Sequence, residues 1–269
     1  MNEESYAELC CVSNFSFHRG ASHPEELIIQ AAVLGYRALA LTDECSLAGA
    51  VRGWMAAEKH DMKLILGSRF TLTENVTLVV LVRSRAGYTQ LCRLITTARR
   101  ASDKGGYRLS LADLIAHDLS CCWLLVLPAY AQSPSPALHA LLAELVCRYP
   151  RSTRLALALH RGAMDALHVE RLCGLRMRYG VPIAAVGNVH MHCRSRLVLQ
   201  DVFTALRLHT TVAGAGTALS PNGERYLRPR TDLARLYPAE MRAQSCRIAD
   251  DCMFNLRDIE YDYPAELVP

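Results

Sequence analysis

The chain has 269 residues, 51% of them hydrophobic, and a formal net charge of +4. That balance supports a domain-sized core, and the charge is too small to point to a nucleic-acid partner. No apolar run reaches the roughly 18 residues of a membrane helix, and the acidic opening Met1-Asn2-Glu3-Glu4-Ser5 lacks the layout of a signal peptide, so a cytoplasmic protein without a membrane span is expected.

Along the chain, apolar strand-like runs at 8–12, 38–42, 63–70, 76–82, 123–128, 155–160 and 182–188 alternate with amphipathic runs at 25–34, 47–59, 88–100, 137–148, 164–179 and 196–206. This alternation predicts an α/β fold of parallel strands and crossover helices, close to a TIM-like barrel. The stretch Ser22-His23-Pro24-Glu25 reads as a capping box, with the serine as N-cap, Pro24 in the first turn and the glutamate reaching back. Gly35 is placed to end that helix in the left-handed region.

Residues 102–106 read as a turn-rich loop. Residues 210–230, with Gly214, Gly216, Pro221, Gly223 and Pro229, read as a long irregular excursion. A helix over 237–254 and an extended exit over 261–266 follow. This gives a barrel over 1–209 and, over 210–269, an excursion, a helical extension and a linker. The eleven cysteines include no C-x-x-C pair and sit mostly in apolar segments, so they read as reduced core thiols.

Several short motifs occur in order. Leu9-Cys10-Cys11-Val12-Ser13-Asn14-Phe15-Ser16-Phe17 is followed by Arg19-Gly20-Ala21-Ser22 and by Leu41-Thr42-Asp43-Glu44-Cys45-Ser46-Leu47-Ala48-Gly49-Ala50-Val51. Then come Lys63-Leu64-Ile65-Leu66-Gly67-Ser68-Arg69-Phe70, Gly87-Tyr88-Thr89-Gln90-Leu91-Cys92-Arg93-Leu94-Ile95 and Gly187-Asn188-Val189-His190-Met191-His192. The series resembles the PHP family of the bacterial C-family DNA polymerases related to the DNA polymerase III alpha subunit. Ser13–Phe17, the Asp43-Glu44-Cys45-Ser46 variant, the 199–205 segment and the tail 261–269 resemble its error-prone branch.

The resemblance implies a distorted seven-stranded (βα)7 barrel, the PHP fold, with a C-terminal helical extension leading toward a polymerase palm. In that family up to three metals are held at the carboxyl ends of the strands and activate water against a phosphoester. Mapped onto this chain, the metal-site positions are Cys10, Val12, Arg19, Glu44, Arg69, Thr77, Tyr130, Asn188 and His190. Val12 has no donor atom, Arg19 and Arg69 replace carboxylates, Asn188 replaces an aspartate, and only His190 is unchanged.

A guanidinium at contact distance from a dication costs several kcal/mol, so a metal-free pocket is expected, with Arg19 and Arg69 forming ion pairs or hydrogen bonds with Asp43, Glu44 or both. His190 and His192 also fit a structural role, and the basic series from Arg83 to Arg108 also fits a solvated face.

The function implied is a non-catalytic domain of an error-prone translesion polymerase active in damage-induced mutagenesis. No cofactor is implied in the domain itself, and Mg2+ is implied in the palm. The partners implied are the palm and thumb of the same polymerase and, through it, DNA, a sliding clamp and mutagenesis accessory proteins. The alternatives are a metal-dependent phosphoesterase or 3′–5′ exonuclease, and a pure interaction module.

Overall fold

The computed structural model describes residues 5–259. Its strands are β1 (Glu8–Cys11), β2 (Leu39–Leu41), β3 (Leu64–Thr71), β4 (Thr77–Val82), β5 (Cys122–Leu127), β6 (Thr153–Ala158) and β7 (Ile183–Val186). Its α-helices are α1 (Pro24–Val33), α2 (Ala50–Lys59), α3 (Arg85–Arg100), α4 (Leu111–Ile115), α5 (Pro136–Arg148), α6 (Asp165–Tyr179), α7 (Leu197–Arg207), α8 (Val212–Ala215), α9 (Arg230–Leu236) and α10 (Ala239–Asp251).

The strands form one sheet in the order of the sequence. Most neighbours are parallel, but β4 runs antiparallel to both β3 and β5. The expected uniform βα repeat is broken there because residues 73–75 turn the chain too tightly for a crossover helix. The Leu72 N–H donates to Val76 O at 2.9 Å, and Asn75 takes the left-handed region at φ 59°.

Side chains alternate across the strands. Ala38, Ala40, Val79, Leu81, Ala156 and Ala184 share one core with Ile248 and Ala249 of α10. Leu39, Leu41, Leu78, Val80, Leu155 and Leu157 pack into the other core with residues of the surrounding helices.

The sheet curls until β1 meets the segment after β7. Val12 donates to Val189 O at 2.9 Å, and Val189 donates to Cys10 O at 2.8 Å. Between Glu8 and β7 the seam lacks a ladder, and side chains replace it. The Glu8 carboxylate accepts the Gly187 and Cys10 N–H groups and the Tyr6 hydroxyl. Ser245 Oγ donates to Ala185 O at 2.5 Å, and Tyr237 Oη donates to Val186 O at 2.8 Å. Full burial raises Glu8 to about 7, because desolvation outweighs the hydrogen bonds that favour the ion.

Local signals set the ends of α1, one residue later than the sequence suggests. The N-cap is His23, whose N–H donates to Glu26 at 2.8 Å, while the Ser22 hydroxyl is taken by His192. Gly35, at φ 68°, closes the helix, with Tyr36 N–H on Ala31 O and Gly35 N–H on Ala32 O. In α3, Gly87 faces Cys121, and a Cβ at Gly87 would lie 2.2 Å from that carbonyl oxygen.

The excursion is more ordered than its composition implies. It holds α8 and leads straight into α9, and Met191 bridges to Tyr226. The helix expected over 237–254 begins after Pro238 and ends at Asp251. The expected exit linker and the 261–269 motif lie outside the described residues. Among the described residues no helix is long and apolar enough to cross a membrane, and all eleven cysteines are free.

Candidate functional site

One rim of the barrel gathers the residues singled out from the sequence. The parallel strands bring their carboxyl ends to it, and antiparallel β4 brings its first residue, Thr77. Residues 42–44 follow β2 and pair with the end of β3, through a bridge between Glu44 and Arg69.

Asp43 is buried and accepts three hydrogen bonds, from Ser13 N–H at 2.8 Å, Ser13 Oγ at 2.8 Å and Ser16 Oγ at 2.7 Å. Burial raises its pKa, opposed by those donors. The expectation that Asp43 pairs with an arginine is therefore corrected. Two hydroxyls and an amide from the same loop satisfy it without a countercharge.

Arg69 and Glu44 do come together. Arg69 Nε lies 3.7 Å from Glu44 Oε2, and both side chains are largely buried. Arg69 Nη1 donates to Asn188 Oδ1 at 2.9 Å, and the Cys10 thiol points at the same oxygen from 3.7 Å. Glu44 also accepts the Tyr107 hydroxyl. Asn188 holds the left-handed region at φ 46°, one that asparagine tolerates better than most residues.

Arg19 does not join this pair. It is half-buried and lines the mouth of the rim, and among the described residues it makes no ion pair with Asp43 or Glu44. The loop from Ser13 to Arg19 is folded on its own hydrogen bonds, with Ser16 O accepting the Arg19 N–H, so the Arg19 side chain stands outward of Asp43.

Val12 offers only its backbone, which closes the barrel. Tyr130 turns its hydroxyl away to Asp165 Oδ1 at 2.6 Å. Burial, then the carboxylate, push that phenol up to about 12.

The sequence missed Arg225. It enters from the excursion and donates from Nη1 to His190 Nε2 at 3.3 Å, which places the His190 proton on Nδ1. Burial, then Arg225 and Arg69, hold His190 well below its ordinary pKa. Burial, then Arg225, bring His160 down to about 3. Two large apolar residues inside a Gly/Pro-rich stretch, in Arg225-Tyr226-Leu227-Arg228, are the signal that this part of the excursion is packed down.

A divalent metal cluster does not fit these side chains. Among the described residues no group of three or more His, Cys, Asp or Glu side chains converges as a ligand set. Burial pushes the Cys10 thiol up to about 11, away from the thiolate a metal needs. The guanidinium groups of Arg69 and Arg225 stand near His190 and would repel a divalent ion there.

Residues 8–127 match the family model for the PHP domain. The chain is 49% identical over 276 residues to an error-prone DNA polymerase of Dechloromonas aromatica, covering 100% of this chain and 26% of that protein. It is 48% identical over 267 residues to one of Methylococcus capsulatus, covering 99% of this chain and 25% of that protein. The chain thus spans about a quarter of the length of the curated relatives it matches.

Among solved structures, a candidate metal-dependent phosphoesterase from Bifidobacterium adolescentis superposes with a TM-score of 0.51 at 17% identity, over 69% of this chain and 88% of that one. An amidohydrolase from Chromobacterium violaceum, with bound sulfate and no metal, gives 0.52 at 13% identity, over 70% and 88%. These two likenesses concern the fold. The family match and the sequence identities, not these likenesses, show that the chain carries a PHP domain and is similar over its whole length to the amino-acid sequences of error-prone DNA polymerases.

Proposed function

We propose that this chain is a non-catalytic, metal-free PHP domain of an error-prone translesion DNA polymerase, acting as structural support and docking surface for the rest of that enzyme in the cytoplasm. The observation that carries the reading is Arg69. At the position where the resemblance asks for a carboxylate ligand, its guanidinium is bonded to Asn188 and set against Glu44.

The docking part of the reading is supported by α7. Val198, Val202 and Leu206 repeat every fourth residue along it and are 73%, 38% and 51% exposed. An apolar stripe of that kind is suited to another part of the same polymerase. Nucleotide addition, the Mg2+ it uses, and contacts with DNA, a sliding clamp and accessory proteins belong in this reading to the remaining three quarters of the enzyme.

The purified chain is expected to hydrolyse neither single-stranded DNA nor p-nitrophenyl phosphate, with or without added manganese or zinc. Turnover above the buffer rate that disappears in His190→Ala would overturn the reading in favour of a phosphoesterase or exonuclease.

A further inference from the structure

Resting on the metal-free reading of this rim, we propose that Arg69, Arg225, Arg19 and Arg207 form a binding site for a phosphate dianion, free or esterified. A cavity of about 210 Å3 opens at the rim, lined by these four arginines with His18 and His190, and no carboxylate lines it. Among the described residues Arg19, Arg207 and Arg225 make no ion pair. Among the described residues the one carboxylate paired with Arg69, Glu44, stands at 3.7 Å, with Arg69 Nε and Glu44 Oε2 both lacking a hydrogen-bond partner.

The cations therefore face one another rather than counter-ions. Burial, then Arg69, bring Arg225 down to about 10, and burial, then Arg19, lower Arg207. Such an array is stabilised by an anion that accepts from several guanidinium forks at once. A carboxylate ligand neutralises one of them, whereas a phosphate dianion supplies more charge and oxygens on several sides.

A second chamber, of about 130 Å3, shares Arg69 and Arg225 and is lined also by Thr77, Tyr130, His160 and Asn188. The Arg69–Arg225 pair thus forms a cationic waist between two spaces. A phosphate held at the waist leaves room for an ester substituent on either side.

The test is calorimetric titration of the full chain with inorganic phosphate at constant ionic strength, once with chelator and once with added zinc or manganese. Saturable binding with chelator present is expected, weakened about tenfold or more in Arg225→Gln and in the exposed-rim variant Arg207→Gln, the loss of a charge-assisted hydrogen bond. It is expected to be unchanged in Arg178→Gln on the far-exposed end of α6. Thermal melts identify any variant that fails to fold, and Arg207→Gln stands if Arg225→Gln does not.

No saturable binding in either buffer, or binding indifferent to Arg225 and Arg207, overturns the site and leaves the metal-free reading standing. Binding seen only with added metal overturns both. A single-stranded oligodeoxynucleotide without terminal phosphate serves as competitor. Displacement of phosphate by it identifies nucleic-acid backbone as the source of the bound group, and failure to displace identifies a free phosphate or small monoester.

Discussion

Arg228→Ala is expected to lower folding stability by about 3–5 kcal/mol, the cost of leaving a cavity and buried carbonyls without their donors. Arg228 is 1% exposed and is the largest of the fully buried side chains. Its Nη2 donates to Leu159 O at 2.6 Å and its Nε to Glu224 O at 3.1 Å, while its own carbonyl accepts the Tyr36 hydroxyl at 2.7 Å.

Those bonds fasten the 222–228 stretch to the segments after α1 and β6. The alanine variant leaves two buried carbonyls unsatisfied. It also removes a positive charge that favours ionised Glu8 in the seam. Arg228→Met, which restores volume but not hydrogen bonds, is expected to recover part of the loss. Urea unfolding of the three proteins checks this, and a midpoint for the alanine variant equal to that of the unchanged chain would count against the account.

The second large effect is expected at Arg69. Arg69→Glu brings back the residue type that the family resemblance calls for, yet it should destabilise the chain by about 2–4 kcal/mol in chelated buffer. The new carboxylate would face Glu44 and the acceptor oxygen of Asn188, which now holds the guanidinium. Arg225 lies close enough to offset part of the repulsion, which places the expectation toward the lower figure. For a domain of this size the melting temperature should fall by roughly 5–10 °C. A variant that melts no lower than the unchanged chain would remove the support for Arg69 and Glu44 as a replacement for metal.

The barrel was legible in the sequence because each strand carries its own signal. The apolar runs ending near Thr42 and Phe70 are short, bounded and separated by amphipathic helices, and β1 to β7 fall on them within a few residues. The direction of β4 was not legible from alternation alone. It depends on the three-residue turn at 73–75, where Asn75 accepts a left-handed conformation.

The site was legible only where the chemistry is local to a motif. Glu44 and Arg69 meet because neighbouring strands carry them to one rim. Asp43 was assigned the wrong partner, although Ser13 and Ser16 stood in the same motif. A buried carboxylate needs donors, and hydroxyls serve as well as an arginine.

The contacts of Arg225, Arg228, Tyr237 and Ser245 were not legible. Their roles depend on where the chain after residue 210 folds back, and a Gly/Pro-rich composition reports flexibility of φ and ψ rather than destination. Glu8 shows the same limit. In sequence it is a lone acid in an apolar strand, and only the open seam beside β7 gives it three hydrogen-bond donors to hold.

The account rests on guanidinium groups having taken the place of divalent ions at the rim, and metal content measures that directly. The purified chain is incubated with zinc or manganese, desalted, and analysed by inductively coupled plasma mass spectrometry beside His190→Ala. The account predicts metal far below one ion per chain and no difference between the two proteins. One or more ions retained per chain, and lost in His190→Ala, would contradict it.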